Sequence, residues 1–310
     1  VALLERKRDI PRIHRSCGGV LNVNEATFGE IVRFDDERNL ISMTRCGAEI
    51  FYDGPFQNVY GFHIYSPGGR RLEFGRFDGL RADPRKNRLG VSISKELLLR
   101  QLLLESEKLG VAVFANTNVM NVRKEAAGVV VECEDGRSLT GTFCLAADGI
   151  NSRLARVLGM NKGRDFYGTS RDTSVSIRGT DCPDPDGFLF MFTPQGVFSM
   201  IPVADKDCYH IYATTFRRDQ KPPELMKYFM YQDPTFAEWY KKSEVLAHRT
   251  ACVVSLMIPL EKPFRDNVLF IGDACWRREM SNVGSMSTGW QAARCIADAL
   301  DRGQPDEEGL

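Results

Sequence analysis

The feature that most constrains the fold of this chain is an apolar run that stops at Gly-Asp. Residues 268–271 are all apolar, and Gly272 and Asp273 follow at once. Near-continuous apolar runs of this kind are typical of strands in a parallel sheet that is covered on both faces. Gly272 allows the backbone to turn. Asp273 is therefore predicted to project at the carboxyl end of the sheet, where such folds bind their ligands.

The segment after this turn predicts a helix from about residue 284 to residue 300. Its first turn, Gly284-Ser285-Met286, has little bulk close to the backbone, so a flat ring can approach the N–H groups. A carboxylate for ligand hydroxyls and a helix N-terminus for a developing anion are together what a flavin requires. The stripe predicted to face the core consists of Met286, Ala293, Ile296 and Leu300.

A second strand end lies at the start of the chain. Residues 1–4 predict a short buried strand, and Glu5 follows it directly. In dinucleotide-binding folds a carboxylate in that position accepts hydrogen bonds from ribose hydroxyls. An ordinary acidic residue in a βα loop is the alternative interpretation of Glu5.

A third strand end lies in the middle of the chain. Residues 145–147 predict a buried strand, Asp148 and Gly149 a tight turn, and Asn151 or Ser152 the cap of a short helix. The N–H groups at such a helix start attract phosphate or a polarised oxygen. An ordinary strand, turn and helix with a good cap would show the same pattern.

The remaining segments alternate between predicted helices and predicted strands. The predicted helices are 24–34 with Asn24 as N-cap, 94–109 between Ser94 and Gly110, and 223–240. Strand patterns dominate 111–148 and 166–215, and two runs that flank residues 66–69 predict a β-hairpin. Strands and helices alternate at both ends of the chain around a β-rich middle, which indicates an α/β domain interrupted by a second domain.

Charge and cysteine usage exclude several classes of partner and site. Forty-one basic residues balance 41 acidic ones, so net charge favours neither nucleic acid nor an anionic membrane. No apolar run approaches the length of a membrane span, and no signal peptide opens the chain. The nine cysteines form no C-x-x-C pair and the four histidines lie far apart. We therefore expect neither a metal site nor a disulfide framework. The cysteine usage favours a cytoplasmic location.

Three motifs, in the order in which they occur along the chain, resemble those of the FAD-dependent p-hydroxybenzoate-hydroxylase-like superfamily. They are Glu5 after a strand, DGINSRLARVLG and GDACWRREMSNVGSMSTGW. The loop Arg15-Ser16-Cys17-Gly18-Gly19 and the segments IPLEKPFRDNVLFIGDA and FLFMFTPQG are similar to the geranylgeranyl reductase branch. The resemblance implies a glutathione-reductase-like Rossmann FAD-binding domain that a β-rich substrate domain interrupts. The implied ranges are 1–52, 91–165 and 262–310 for the FAD-binding domain, and 53–90 and 166–261 for the substrate domain.

The resemblance also implies the cofactor FAD and a role for individual residues. Glu5 would bind the adenosine ribose, backbone groups near Val119 the adenine, and Asp273 the ribityl chain. The flavin edge would meet Gly284, Ser285 and Met286. The implied cofactor site also includes Arg15, Asp148, Gly149, and Lys95 at a position where relatives often carry arginine. Cys17 would lie beside the ring as a thiol donor, although a buried unreactive cysteine is the alternative.

Besides Lys95, the sequence departs from the family pattern at its start and in the segment after Asp273. It begins at what looks like the second strand, without the G-x-G-x-x-G turn that holds the FAD pyrophosphate. We therefore expect either a fragment or a longer natural protein with about 30 upstream residues. We also expect the given chain to bind FAD poorly and to expose an unpaired strand edge. In the segment after Asp273, Ser281 stands where proline is common in the family, and Gly284-Ser285-Met286 replaces Gly-x-Gly.

The activity implied by the resemblance is hydride transfer through flavin N5 to a C=C bond of an apolar substrate. NAD(P)H is a candidate electron donor. Phe188, Phe190 and Phe192 share one face of a predicted strand, and either line an apolar pocket or pack in the core. A flavin-dependent aromatic hydroxylase is the second hypothesis, and a cofactor-free remnant or interaction protein is the third. Peripheral membrane contact is compatible with an apolar substrate, and the sequence does not set the oligomeric state.

Overall fold

The computed structural model describes residues 1–14, 17–74, 83, 85–126, 128–276 and 281–309, with the backbone alone at 249–252 and 307. The α-helices in these ranges are α1 (Lys95–Lys108), α2 (Arg153–Val157), α3 (Pro222–Tyr231) and α4 (Ser281–Asp301). Short 3-10 helices lie at Ala237–Tyr240, Gly272–Ala274 and Glu307–Gly309. The strands are β1 (Ala2–Leu4), β2 (Val20–Asn22), β3 (Ala26–Thr27), β4 (Glu30–Asp35), β5 (Leu40–Met43), β6 (Ala48–Phe51), β7 (Phe56–Val59), β8 (Gly61–Tyr65), β9 (Arg71–Phe74), β10 (Gly90–Ile93), β11 (Ala112–Phe114), β12 (Val119–Glu125), β13 (Gly128–Cys133), β14 (Ser138–Gly141), β15 (Cys144–Ala146), β16 (Phe166–Arg178), β17 (Gly187–Phe192), β18 (Val197–Pro202), β19 (Cys208–Thr215), β20 (Glu244–Met257), β21 (Phe264–Arg265) and β22 (Val268–Phe270).

Hydrogen bonds join these strands into several sheets, so the described chain has a mixed α/β fold. The strand orders are β1-β11, β2-β10-β7, β3-β4-β5-β6, β12-β13-β14, β15-β22-β21 and β20-β16-β19-β18-β17-β8-β9. The pairs β1–β11 and β15–β22 are parallel. Ile271 N donates to Ala146 O at 3.1 Å, so the turns that follow β15 and β22 leave the same edge of their sheet side by side.

The first strand exists as predicted, but its predicted burial is wrong. Val1 is almost fully exposed and Leu3 is 38% exposed. Among the described strands, β1 is hydrogen-bonded only to β11, so one of its edges has no neighbouring strand. A strand that is paired on one side only leaves side chains and backbone groups in contact with solvent.

Residues 24–34 form two strands and a turn, so the predicted helix is wrong. Asn24 has a φ of +67° and does not cap a helix, and Phe28 and Gly29 have φ of +50° and +76°. Two successive residues with positive φ make a tight hairpin turn, across which β3 and β4 pair antiparallel. Side chains along β4 then alternate mainly between the core and the surface, the period of a strand.

The local predictions for the long early helix and the hairpin are confirmed. Ser94 Oγ accepts a hydrogen bond from Leu97 N at 3.4 Å and caps α1, and Gly110 follows the helix with a φ of +81°. Strands β8 and β9 pair antiparallel, and Ser66 N donates to Arg70 O at 2.8 Å in the turn between them.

Helix α4 begins earlier and buries a different face than the sequence predicts. It starts at Ser281, and its buried residues are Val283, Gly284, Ser287, Ala292 and Ala299. Ala293 and Leu300 of the predicted stripe are exposed. The first half of α4 packs against β2, β4 and the 3-10 helix at Gly272–Ala274. Close approach of backbone to backbone there favours small side chains over the bulky apolar ones that defined the predicted stripe.

The seven-stranded sheet packs one of its faces against α3. Phe198 of β18 and Phe229 of α3 are fully buried, with parallel rings whose centroids lie 3.9 Å apart. The sheet draws its strands from residues 61–74 and 166–257, whereas β7 pairs with β10 in a separate sheet. The division into a substrate domain (53–90 and 166–261) and an FAD-binding domain (1–52, 91–165 and 262–310) stays a prediction.

No helix in the described part of the chain is both long enough and apolar enough to span a lipid bilayer.

Candidate functional site

Glu5 lies at the carboxyl end of β1, as predicted. Its Oε1 accepts a hydrogen bond from Lys7 N at 2.9 Å. The backbone oxygen of Glu5 accepts from Thr117 N at 2.9 Å, so the end of β1 lies against the segment that leads into Val119. Val119 O in turn accepts from Arg153 Nη1 at 3.4 Å. The fold therefore brings together the two positions that the sequence assigned to the adenosine part of FAD.

Ser152 is the N-cap of the short helix α2, one of the two predicted caps, and Asp148 also accepts hydrogen bonds from the first turn. Asp148 Oδ2 accepts from Arg153 N at 2.8 Å and from Leu154 N at 3.1 Å, and Ser152 Oγ accepts from Ala155 N at 2.9 Å. These three N–H groups therefore have side-chain partners within the chain, and the role of Asp148 in cofactor binding stays a prediction. Gly149 has a φ of +82°, and a Cβ built on it would meet no atom within 4 Å. A ligand can approach the backbone at Gly149, and its role stays a prediction.

Asp273 lies in the turn directly after β22, and that turn packs on α4. Gly272 has a φ of +59°, and its N–H donates to Thr288 Oγ1 at 3.1 Å. A Cβ on Gly272 would lie 3.5 Å from Ser285 Oγ. The half-buried Asp273 carboxylate is thus held at the carboxyl edge of the β15–β22 pair, next to the first turns of α4.

Cys17 lies between the starts of two helices. Lys95 Nζ, from the first residue of α1, donates to Cys17 Sγ at 3.8 Å. Cys17 Sγ also lies 4.0 Å from Asn282 Oδ1, and Asn282 Nδ2 donates to Val20 O at 2.9 Å. Two of the predicted residues, Cys17 and Lys95, are therefore in contact. Arg15 of the same loop lies outside the described residues.

The N–H groups predicted to face the flavin are offset by about one turn from the described start of α4. Because α4 already includes Ser281, the N–H groups of Ser285 and Met286 lie inside the helix, where carbonyls four residues earlier are their partners. Gly284 N lies 3.5 Å from Ser281 Oγ, and Met286 packs against the core cluster that contains Val283. The helix start remains close to the predicted site, but Ser285 and Met286 do not present their N–H groups there.

The first turn of α4 is where the two groups of site residues meet. Asn282 and Ser285 are three residues apart and lie on one side of the helix. Cys17 and Lys95 approach Asn282, and the Gly272–Asp273 turn approaches Ser285. An ammonium group and a helix N-terminus stabilise negative charge, a carboxylate accepts hydrogen bonds from hydroxyls, and a thiol donates a proton. Sequence reasoning missed Asn282, whose only signal is its place just before Gly284.

Other thiols near these turns do not share this setting. Burial, with the nearby charge of Asp148, raises the pKa of the Cys144 thiol to about 11. Burial also raises the pKa of Cys275, whose Sγ donates to Gly272 O at 3.2 Å. Both thiols stay protonated near neutral pH and pack in the core around β15 and β22.

A cavity of about 340 Å³ opens beside the turns after β15 and β22. Ser152, Arg156, Arg164 and Ala274 are among its lining residues. Arg164 donates to Ile258 O at 2.8 Å and to Trp276 O at 3.0 Å, so backbone carbonyls hold its guanidinium in place. Arg156 belongs to the DGINSRLARVLG motif, whereas Arg164 lies in no motif that the sequence singled out.

Phe188, Phe190 and Phe192 share one face of β17, as predicted, and this face is opposite to the one that packs on α3. Phe188 stacks on Phe190 with ring centroids 4.9 Å apart, and Phe62 of β8 lies 5.1 Å from Phe190. A Cβ on Gly18 would lie 3.2 Å from the Ile201 side chain on the same face of the sheet. The aromatic face therefore extends beneath the loop that carries Cys17.

Phe190→Ala is expected to lower the free energy of unfolding by about 1–2 kcal/mol, less than the ~3–5 kcal/mol typical of a buried phenylalanine. The reason is that Phe190 is only half-buried. The same variant is expected to raise KM for an apolar substrate. Phe198→Ala, on the face that packs on α3, is the matched control and should show the full loss of stability. Thermal melts and steady-state kinetics that gave Phe190→Ala the stability loss of Phe198→Ala, with unchanged KM, would contradict the assignment to a pocket.

No family model matches the sequence. Solved structures do match the fold. A geranylgeranyl bacteriochlorophyll reductase-like protein from Thermoplasma acidophilum superposes with a TM-score of 0.67 at 15% identity, over 99% of this chain and 74% of that one. PqsL from Pseudomonas aeruginosa, a probable FAD-dependent monooxygenase, gives a TM-score of 0.51 at 17% identity, over 80% of this chain and 69% of PqsL. A variant of the halogenase PltM in complex with FAD gives a TM-score of 0.62 at 13% identity, over 82% of this chain and 56% of the halogenase. This chain therefore has the fold that these flavin-dependent and reductase-like proteins share.

Proposed function

We propose that this chain is an FAD-dependent oxidoreductase, similar to geranylgeranyl reductases, that transfers a hydride to a C=C bond of an apolar substrate. The observation that carries the proposal is the meeting of Cys17, Lys95 and the Gly272–Asp273 turn at the first turn of α4. The apolar face with Phe188 and Phe190 begins directly beneath this point.

The chemistry of the donor set fits FAD. Glu5 and Asp273 place carboxylates at the ends of β1 and β22, suited to the hydroxyls of a ribose and a ribityl chain. Lys95 and the start of α4 offset negative charge, and Gly149 leaves space for a ligand against the backbone. The chemistry that FAD supplies when bound is hydride transfer through N5 of its reduced ring.

Reduction of a C=C bond also requires a proton, which we assign to Cys17. Cys17 Sγ holds this proton beside the Lys95 ammonium, and the ammonium stabilises the thiolate that remains after donation to the second carbon. The half-buried aromatic face orients the apolar chain and excludes water from the reacting carbons. NAD(P)H is the electron donor to be tested first. The proposal includes a cytoplasmic location and the two domains that the sequence predicts.

A flavin-dependent aromatic hydroxylase is the second candidate. The likeness to PqsL supports it, as does the cluster of Phe62, Phe188 and Phe190, which suits a flat aromatic substrate as well as a chain. Substrate-dependent oxygen consumption separates the two, because only the hydroxylase requires oxygen. Absence of flavin absorbance, and of FAD binding in a titration, would support a cofactor-free protein instead.

Asp273→Ala is expected to weaken FAD binding about ten- to hundredfold, because loss of a charged hydrogen bond typically costs ~1.5–3 kcal/mol. Fluorescence titration with FAD measures this directly. Asp298→Ala removes an exposed carboxylate near the C-terminal end of α4, away from the Gly272–Asp273 turn, and should leave the affinity unchanged. Equal FAD affinity in native protein and Asp273→Ala, with both proteins folded, would remove Asp273 from the site.

A further inference from the structure

The aromatic face of the seven-stranded sheet continues to an exposed edge. Cross-strand partners place Leu72 and Phe74 of β9 on the same face as Ile64 and Phe62 of β8, and these on the same face as Phe188 and Phe190. Leu72 is 62% exposed, Phe74 51% and Phe192 42%. Exposed apolar side chains that adjoin one another in this way mark a binding surface more often than scattered ones.

A second cavity lies at this edge. It has a volume of about 290 Å³, and its apolar lining includes Ile64, Leu72 and Phe192. Ser66 and Arg70, from the turn between β8 and β9, also line it. The cavity therefore has an apolar floor and a polar rim on one side.

The two arginines at this cavity differ in their charge balance. Arg71 Nη1 donates to Asp184 Oδ1 at 2.6 Å and to Oδ2 at 2.7 Å, so its charge is neutralised. In the described part of the chain, no carboxylate pairs with the exposed Arg70 guanidinium. Among the described residues, an exposed cation without a carboxylate partner thus lies at the rim of an apolar cavity.

We propose that this edge cavity binds the anionic end of a long-chain amphiphile, with its carboxylate or phosphate on Arg70 and its chain over Leu72, Ile64 and Phe192. The chain then continues across β8 and β17 towards Ile201, three strand spacings or about 14 Å from β9. This inference deepens the proposed function, because it names the chemical class of ligand and the edge from which it enters.

The test is a titration of the purified full chain with cis-parinaric acid, a fluorescent long-chain carboxylate, below its critical micelle concentration. Its methyl ester, with the same chain and no charge, is titrated in parallel. Arg70→Gln is expected to weaken binding of the acid about tenfold and to leave the ester unchanged. Leu72→Ser combined with Phe192→Ser is expected to weaken both about tenfold or more, without adding a negative charge.

Arg33→Gln and Leu109→Ser are the matched controls, since both residues are exposed and lie in other parts of the fold. Unchanged binding of the acid in the Leu72 and Phe192 double variant would overturn the proposal. So would binding to phosphatidylglycerol vesicles without binding of monomeric acid, or a native dimer that Leu72→Ser dissociates. The titration needs no flavin, so its failure and a failure of FAD to bind are separate results.

Discussion

Replacing Cys17 with serine is expected to lower turnover about a hundredfold and to leave FAD affinity unchanged. A positioned general acid typically contributes ~10²–10⁴-fold to rate, and a serine hydroxyl is a much weaker acid than a thiol. The substitution keeps the size of the side chain and its place between Lys95 and Asn282. The loss should therefore appear in the chemical step rather than in cofactor binding.

Rapid kinetics of the two half-reactions make this expectation specific. Reduction of bound FAD by the electron donor does not use the Cys17 proton, so its rate should match that of the native protein. Reoxidation by the apolar substrate should carry the whole defect. Cys295→Ser, at an exposed position on α4, is the control and should behave as the native protein does. Equal rates of substrate reduction in Cys17→Ser and Cys295→Ser would assign Cys17 to packing alone.

Glu30→Ala is expected to lower the free energy of unfolding by about 3 kcal/mol, although Glu30 lies in no functional motif. Glu30 is 2% exposed, and its carboxylate accepts from Ile31 N and Arg45 N at 2.8 Å and from Cys46 N at 3.0 Å. Alanine would remove the shared acceptor of three part-buried backbone donors, and loss of a hydrogen bond to a charged group costs ~1.5–3 kcal/mol. Chemical denaturation measures the loss, with the exposed Glu49→Ala of β6 as the control.

The same carboxylate predicts a dependence of stability on pH. Burial opposes the charged form of Glu30, but the hydrogen bonds from Arg45, Ile31 and Cys46 outweigh it and hold the pKa below its usual value of 4.5. Because the folded pKa is the lower one, this contribution to stability is complete above about pH 4.5 and is lost as pH falls through the folded pKa. Glu30→Gln should lose less stability than the native protein between neutral pH and pH 3. Parallel acid curves for the two proteins would contradict this assignment.

Local patterns predicted those elements whose geometry depends on neighbouring residues in the chain. Ser94 caps α1 through the N–H group three residues ahead, and Gly110 ends the helix with a backbone conformation that glycine adopts without strain. The Gly272–Asp273 turn after β22 is predictable for the same reason. Each of these features is decided within a few residues, so the sequence alone contains the information.

Contacts between distant segments decided the rest. The apolar spacing in 24–34 fits a helix as well as a strand, and the hairpin forms because β4 also pairs with β5. Apolar residues occupy both faces of β17, and only the packing of α3 on the side of Leu189 and Met191 leaves Phe190 on the face towards Cys17.

By itself, the sequence determined the strand-end acids and the capped helix. Only the tertiary structure decided which face α4 buries and that Cys17 meets Lys95 and Asn282. The physical reason is sequence separation. Cys17 and Asn282 are 265 residues apart, and their approach depends on the packing of α4 against β2 rather than on any local preference of either segment.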